Sequence, residues 1–261
     1  MDKSGNLYGT TVSGGISSCS HDGNPCCGTV FKLAPKGKLT ILHSFTGGSD
    51  GGAPLATLIM DASGNLYGTT YVGGDLSCNL QGLNGCGVVF KLDPAGKLTV
   101  LHAFHGGKDG AFPLSGGAGV VVDAAGNLYG SAGYAGTFGG QCGIYGCGII
   151  FKIDTIGKFT VLHSFSKSGN EGETPNAGLA IDSDGNLYGT AQTGGPNQLF
   201  GTIFKVSQTG KLTMLYNFTG FADGATPFAG LVRDSAGNLY GTTYQAYSLK
   251  YQDGAVFELT P

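Results

Sequence analysis

Asp61-Ala62-Ser63-Gly64-Asn65-Leu66-Tyr67-Gly68-Thr69-Thr70 is the stretch whose reading decides the fold. Its first half is a turn, because Asp bonds nearby backbone N–H groups and Gly supplies a positive φ. The apolar run Leu58 to Met60 precedes it and Leu66-Tyr67 follows, so the segment reads as a tight β-hairpin. Moving outward, the string Gly-Asn-Leu-Tyr-Gly begins at Gly5, Gly64, Gly126, Gly185 and Gly237, which by subtraction are 52 to 62 residues apart. A recurring spacing of this size marks a repeat architecture.

Two further strings follow the hairpin. Val30-Phe31-Lys32-Leu33, Val89-Phe90-Lys91-Leu92, Ile150-Phe151-Lys152-Ile153, Ile203-Phe204-Lys205-Val206 and Val256-Phe257-Glu258-Leu259 are copies of the first. Leu39 to Phe45, Leu98 to Phe104, Phe159 to Phe165 and Leu212 to Phe218 are copies of the second. The leading apolar run recurs as Val120 to Val122, Leu179 to Ile181 and Leu231 to Val232. Four short strands per repeat is the pattern of a propeller blade. The expected fold is all-β: one domain over residues 1–261, a β-propeller of about five four-stranded blades, with repeats starting near residues 1, 60, 122, 181 and 233. The first blade lacks its innermost strand and the fifth its outermost, which makes the propeller incomplete at both ends. Tight turns join first strand to second and third to fourth, so both fall on one face. The long connections then share the opposite face, where function concentrates on a rigid scaffold.

Composition narrows the function classes. The 261 residues suit one large β domain. There are 50 glycines without a Gly-X-Y period, and 41% of the chain is hydrophobic, which excludes collagen and argues against disorder. Charged residues make up 12%, against about 25% in ordinary domains, so Gly, Ser, Thr, Asn and Tyr build much of the surface. Such a surface suits carbohydrate-like or protein contacts. The net charge of −3 and the 14 scattered Lys and Arg residues leave no basic stripe for phosphates, so nucleic acid is not an expected partner. No apolar run reaches the roughly 20 residues of a membrane span.

Seven cysteines fall in three of the long loops. Cys27, Cys86 and Cys147 occupy one repeat position, and Cys19, Cys78 and Cys142 stand upstream in the same loops. Three local disulfides are expected, each contributing roughly 2 to 3 kcal/mol, and they imply an oxidising compartment. The rival reading is zinc, against which the pairs stand on separate blades instead of converging. Cys26 is left over, as a free thiol or an alternative partner for Cys19. His43, His102 and His163 recur within a strand, with Tyr216 in the fourth copy, and read as packed aromatic-polar positions; His21 and His105 read as solvated loop residues. Asp182-Ser183-Asp184 resembles part of a calcium loop, but position 193, where an EF-hand needs Glu, is Thr193, so it reads as a hairpin. Neither a metal nor a cofactor is expected.

An acid precedes each new blade: Asp50, Asp109, Glu171 and Asp223. Turn capping accounts for them; as candidate ligand-binding residues they would instead ring the channel mouth. The chain has no Gly-x-Ser-x-Gly elbow, no His-Glu-x-x-His and no nucleophile set standing apart from the repeat. The expected function is a non-enzymatic module that binds glycan or protein partners through the long-loop face. The alternative is a propeller hydrolase, lactonase or lyase with its site at the channel mouth.

The succession Gly-Asn-Leu-Tyr-Gly-Thr-Thr, Gly-Gly, Gly-x-Val-Phe-Lys-Leu and Gly-Lys-Leu-Thr-x-Leu-His-x-Phe resembles the GloVer tandem repeat of exported bacterial proteins. The resemblance implies an extracellular or cell-surface location and carries over no catalytic residues. Asp-x-x-Gly-Asn-Leu-Tyr is more distantly similar to NHL and lactonase-type propellers. Met1-Asp2-Lys3-Ser4-Gly5 aligns with Met60-Asp61-Ala62-Ser63-Gly64, and no signal peptide precedes it, so the chain reads as a piece of a longer frame opened at an internal Met.

Overall fold

A computed structural model describes residues 1–15, 27–80, 82–113, 119–136, 142, 146–166, 171–196, 199–245 and 253–261. Among these residues there is no α-helix, and no helix is long and apolar enough to cross a membrane. Each repeat forms its own antiparallel sheet. The second contains Ile59–Met60, Leu66–Thr70, Val88–Leu92 and Leu98–Ala103 in that spatial order. The third and fourth sheets repeat this four-stranded order, while the first and fifth have three strands each.

Cross-strand pairing explains why the motifs are spelled as they are. Gly68 stands opposite Phe90, and a Cβ there would lie 2.8 Å from the Phe90 ring and 2.7 Å from Leu58. Only glycine leaves room for the ring to lie across the strand. Next in register, Lys91 reaches over the Tyr67 ring at 5.9 Å, a cation–π contact repeated in the first, third and fourth sheets. In the fifth sheet, where Glu258 replaces the lysine, Tyr240 donates a hydrogen bond to it at 3.1 Å.

Successive sheets bury their faces against each other. Phe45 meets Phe90 edge-on at 5.2 Å, Phe104 meets Phe151 at 5.5 Å, Phe165 meets Phe204 at 5.1 Å and Phe218 meets Phe257 at 5.2 Å. Around each pair an apolar cluster joins one sheet to the next. Burying each large apolar side chain contributes roughly 1.5–3 kcal/mol, so the inter-sheet seams are the cores.

The two sets of connections separate by face. On one side the Gly64 turn lies against Pro94, as Gly5 lies against Pro35, so both tight turns of a sheet are neighbours. On the other, bridges Gly52 to Val72, Ala111 to Tyr134 and Ala225 to Gln245 tie the turn leading into each sheet to the long loop after its second strand. Gly172–Glu173 pairs with Thr193–Gly194 in the same way in the fourth repeat.

Candidate functional site

The long-connection side carries the chain's variation, and its geometry starts from an irregularity. In the first four sheets the pairing of third and outermost strands shifts by one residue, as where Val89 pairs with His102 but Phe90 with Val100. This bulge re-aims the residues beyond it. His102 thereby stands opposite Val89, which packs toward the third sheet, and its ring stacks on Phe159 of that sheet at 3.7 Å.

Each of the four acids closes the turn that follows such a strand. Asp50 accepts from the Thr46 amide at 3.1 Å and from the Thr46 hydroxyl, with His43 Nε2 at 3.2 Å. Glu171 accepts from the Ser166 amide at 2.9 Å, with His163 Nε2 at 3.3 Å. Asp223 accepts from the Thr219 amide at 2.8 Å and from the Tyr216 hydroxyl at 3.0 Å. Tyrosine can replace histidine there because the carboxylate needs only a donor. The acids thus sit beside the outermost strand of the preceding sheet and close its turn.

The second repeat differs. Where the others place a hydroxyl, it places His105, whose Nδ1 is 2.8 Å from Asp109 Oδ2; His102 Nε2 is 3.1 Å from the same oxygen. The other nitrogen of His105 faces Asp75 at 3.9 Å. Burial pushes the Asp109 carboxyl upward, but hydrogen bonds from His102, His105 and the His105 amide outweigh it and hold the group at about 2. His105 is exposed, as a solvated loop residue should be, and His102 is packed against Phe159, as its strand position implies; beyond that, the structure brings both to one carboxylate. The spacing of His102, His105 and Asp109 was visible in the sequence, but the approach of Asp75 was not.

The disulfides brace this side. Cys78 is bonded to Cys86 and Cys142 to Cys147. Cys27 is disulfide-bonded as well, whereas Cys19, Cys26 and His21 lie outside the described residues. The Cys78–Cys86 loop sits on the His105 turn: a Cβ on Gly106 would meet Cys78 Sγ at 2.4 Å and Cys86 Sγ at 3.2 Å. In the fourth repeat the Phe200 ring fills the corresponding place against Gly220, within 2.5 Å of such a Cβ. One aromatic ring thus occupies the volume that a disulfide fills elsewhere.

Five consecutive antiparallel sheets, joined face to face and carrying braced loops on one side, define a tandem-repeat protein of propeller-like all-β fold. Residues 1–143 and 134–261 match the Gloeobacter/Verrucomicrobia repeat, and the chain belongs to that family. No curated protein matches it in sequence. Among solved structures, luciferin-regenerating enzyme is similar over 93% of this chain and 76% of its own, at 16% identity and a TM-score of 0.52. The extracellular domain of a hybrid two component system from B. thetaiotaomicron is similar over 88% of this chain and 24% of its own, at 12% identity and a TM-score of 0.52. For a gluconolactonase from Xanthomonas campestris the values are 82%, 61%, 16% and 0.47, so this chain spans 61% of that enzyme's length. At these identities the likeness is one of fold.

Proposed function

We propose that the chain is an exported, non-catalytic recognition module, its five sheets serving as consecutive propeller blades and its long-connection face binding surface glycans or protein partners. The observation that carries this reading is a set of large apolar side chains that reach solvent on this face. Leu76, Leu199, Phe221 and Tyr244 are all more than half exposed, and all belong to long connections. Gly, Ser and Thr neighbour them in sequence, with Asp75 beside Leu76 and Asp223 near Phe221, and the Phe221 and Tyr244 rings suit stacking on a sugar ring while neighbouring groups bond its hydroxyls. Asp50, Asp109, Glu171 and Asp223 serve the face by holding its turns, since each already accepts at least two hydrogen bonds. Disulfide-braced loops favour an oxidising, extracellular setting.

A glycan array probed with the intact chain tests the reading. The F221A/Y244A variant, with an unchanged melting temperature, is expected to lose at least ten-fold in binding to the glycans that the parent retains. An array without hits, together with no protein captured from outer-surface extracts, would remove the proposal.

A further inference from the structure

In a tandem repeat, the positions that all copies share report the scaffold, and a place where several departures converge in one copy calls for its own account. The turn shared by the first, third and fourth repeats is complete with one ring donor, one hydroxyl and one acid: His43, Thr46 and Asp50; His163, Ser166 and Glu171; Tyr216, Thr219 and Asp223. Three departures meet at the second repeat's turn, two from that repeat and one from the third sheet packed against it. His105 replaces the hydroxyl, Asp75 approaches its far nitrogen, and Phe159 replaces the leucine found at positions 39, 98 and 212, putting an aromatic ring beneath His102. None is needed to close the turn.

We propose that His102, His105 and Asp109 bind one divalent cation of the zinc class. The donor chemistry suits it: two imidazoles and a carboxylate are borderline N/O ligands, which zinc and its first-row neighbours prefer over magnesium or calcium. One donor atom from each residue lies within 4.8 Å of the others. Tetrahedral bonds of about 2.0–2.2 Å would hold donors about 3.3–3.6 Å apart, whereas Asp109 Oδ2 is now 3.1 Å from His102 Nε2 and 2.8 Å from His105 Nδ1. A spread of roughly 0.2–0.8 Å admits the ion, and the proton on each donating nitrogen passes by way of solvent to the other nitrogen of the same ring, leaving both imidazoles neutral.

The surroundings are arranged as such a site requires. Asp75 Oδ2 lies 3.9 Å from His105 Nε2; closing by about 1 Å would let it accept that N–H and fix which nitrogen is offered, the part outer carboxylates play around metal-bound histidines. Phe159 fixes the plane of His102, and the Cys78–Cys86 disulfide presses on Gly106, next to His105. His102 and Asp109 are mostly covered, with side chains 14% and 20% exposed, while His105 is 61% exposed. The ion would therefore hold three protein ligands and keep a position open to water or to an oxygen-bearing ligand. Nothing in this assignment depends on the glycan-binding reading.

The test uses the intact chain, treated with iodoacetamide so that no thiol competes, freed of metal with a chelator, and titrated with Zn²⁺ by calorimetry and with Co²⁺ by visible absorption. The parent is expected to bind one equivalent of each, Co²⁺ giving a d–d band. H105T installs the first repeat's residue and H102Y the fourth's; each should weaken binding at least ten-fold, and D75N about ten- to hundred-fold. H43A should leave the stoichiometry at one. If H105T does not fold, D75N decides. Absence of a Zn²⁺ isotherm for the parent, or equal affinity in folded H105T or D75N, would overturn the assignment.

Discussion

A single carboxylate organises each Asp-x-x-Gly-Asn turn that leads into a second strand. Asp123 accepts the Ala125 and Asn127 amides at 3.0 and 2.8 Å through one oxygen, and the Asn127 side chain and Tyr129 hydroxyl at 2.8 and 2.9 Å through the other. Burial and this neighbouring acid push the Tyr129 hydroxyl up to about 12. Because hydrogen bonds to a charged group contribute about 1.5–3 kcal/mol and neutral ones about 0.5–1.5, Asp123→Asn should cost more than Tyr129→Phe. Urea unfolding of the two variants checks the order. The same chemistry fixes the acid limit. The Asn6 side chain, opposed by desolvation and helped by other donors, holds Asp2 at about 2, and Asp109 is also held at about 2. Asp61, Asp123 and Asp182 are lowered too, hydrogen bonds outweighing their burial. A carboxyl depressed in the folded state adds stability that is complete above its unfolded value of about 3.9 and is lost as pH falls through the folded one. The melting temperature should therefore show no loss from these groups above about pH 5 and fall between about pH 4 and pH 2. A profile flat down to pH 2 would contradict it. These hairpins were legible in the sequence because every group they use lies within seven consecutive residues.

Within one sheet, the glycine of Asn-Leu-Tyr-Gly and the phenylalanine of the facing strand act as a pair. In the third sheet a Cβ on Gly130 would come within 2.5 Å of the Phe151 ring, and that ring is wholly buried. Gly130→Ala forces it off its rotamer, at a cost of about 1–3 kcal/mol. Trimming the ring in Gly130→Ala/Phe151→Leu should recover part of that loss, so the two effects should fail to add. Chemical denaturation of both single variants and the double measures this coupling. The strands themselves were readable from short β-branched and aromatic strings. The bulge between third and outermost strands was not, because no residue type marks it and it emerges only when two strands are set in register. With it went the aim of His102. His105, Asp109 and Asp75 come from a turn and a loop about 30 residues apart in sequence, and they meet because the disulfide-braced loop folds back over the turn.

Across the whole molecule, each sheet contacts mainly its sequence neighbours, so stability is nearly a sum of sheets and seams. The period, the sheet order and the separation of short from long connections were legible because they follow from covalent spacing alone. Covering of the end faces does not follow from spacing. Leu7 is 50% exposed where its counterpart Leu66 in the second sheet is 3% exposed, and Val256 is 83% exposed where Ile203 is 1% exposed. These end faces match the two sides of the internal seams: the first offers the Leu and Phe surface that a preceding sheet would cover, the fifth the Val surface that a following sheet would meet. Opening free energies span from near zero at uncovered elements to the global value in the core. Amides of Leu7–Thr11 and Val256–Leu259 should thus exchange with deuterium at least ten-fold faster than those of Leu128–Ala132, every residue of which is buried. Equal protection would mean that the end faces are covered in solution. A dilution series then separates the two ways of covering them: protection lost on dilution marks pairing between copies, and protection that persists marks closure within one chain.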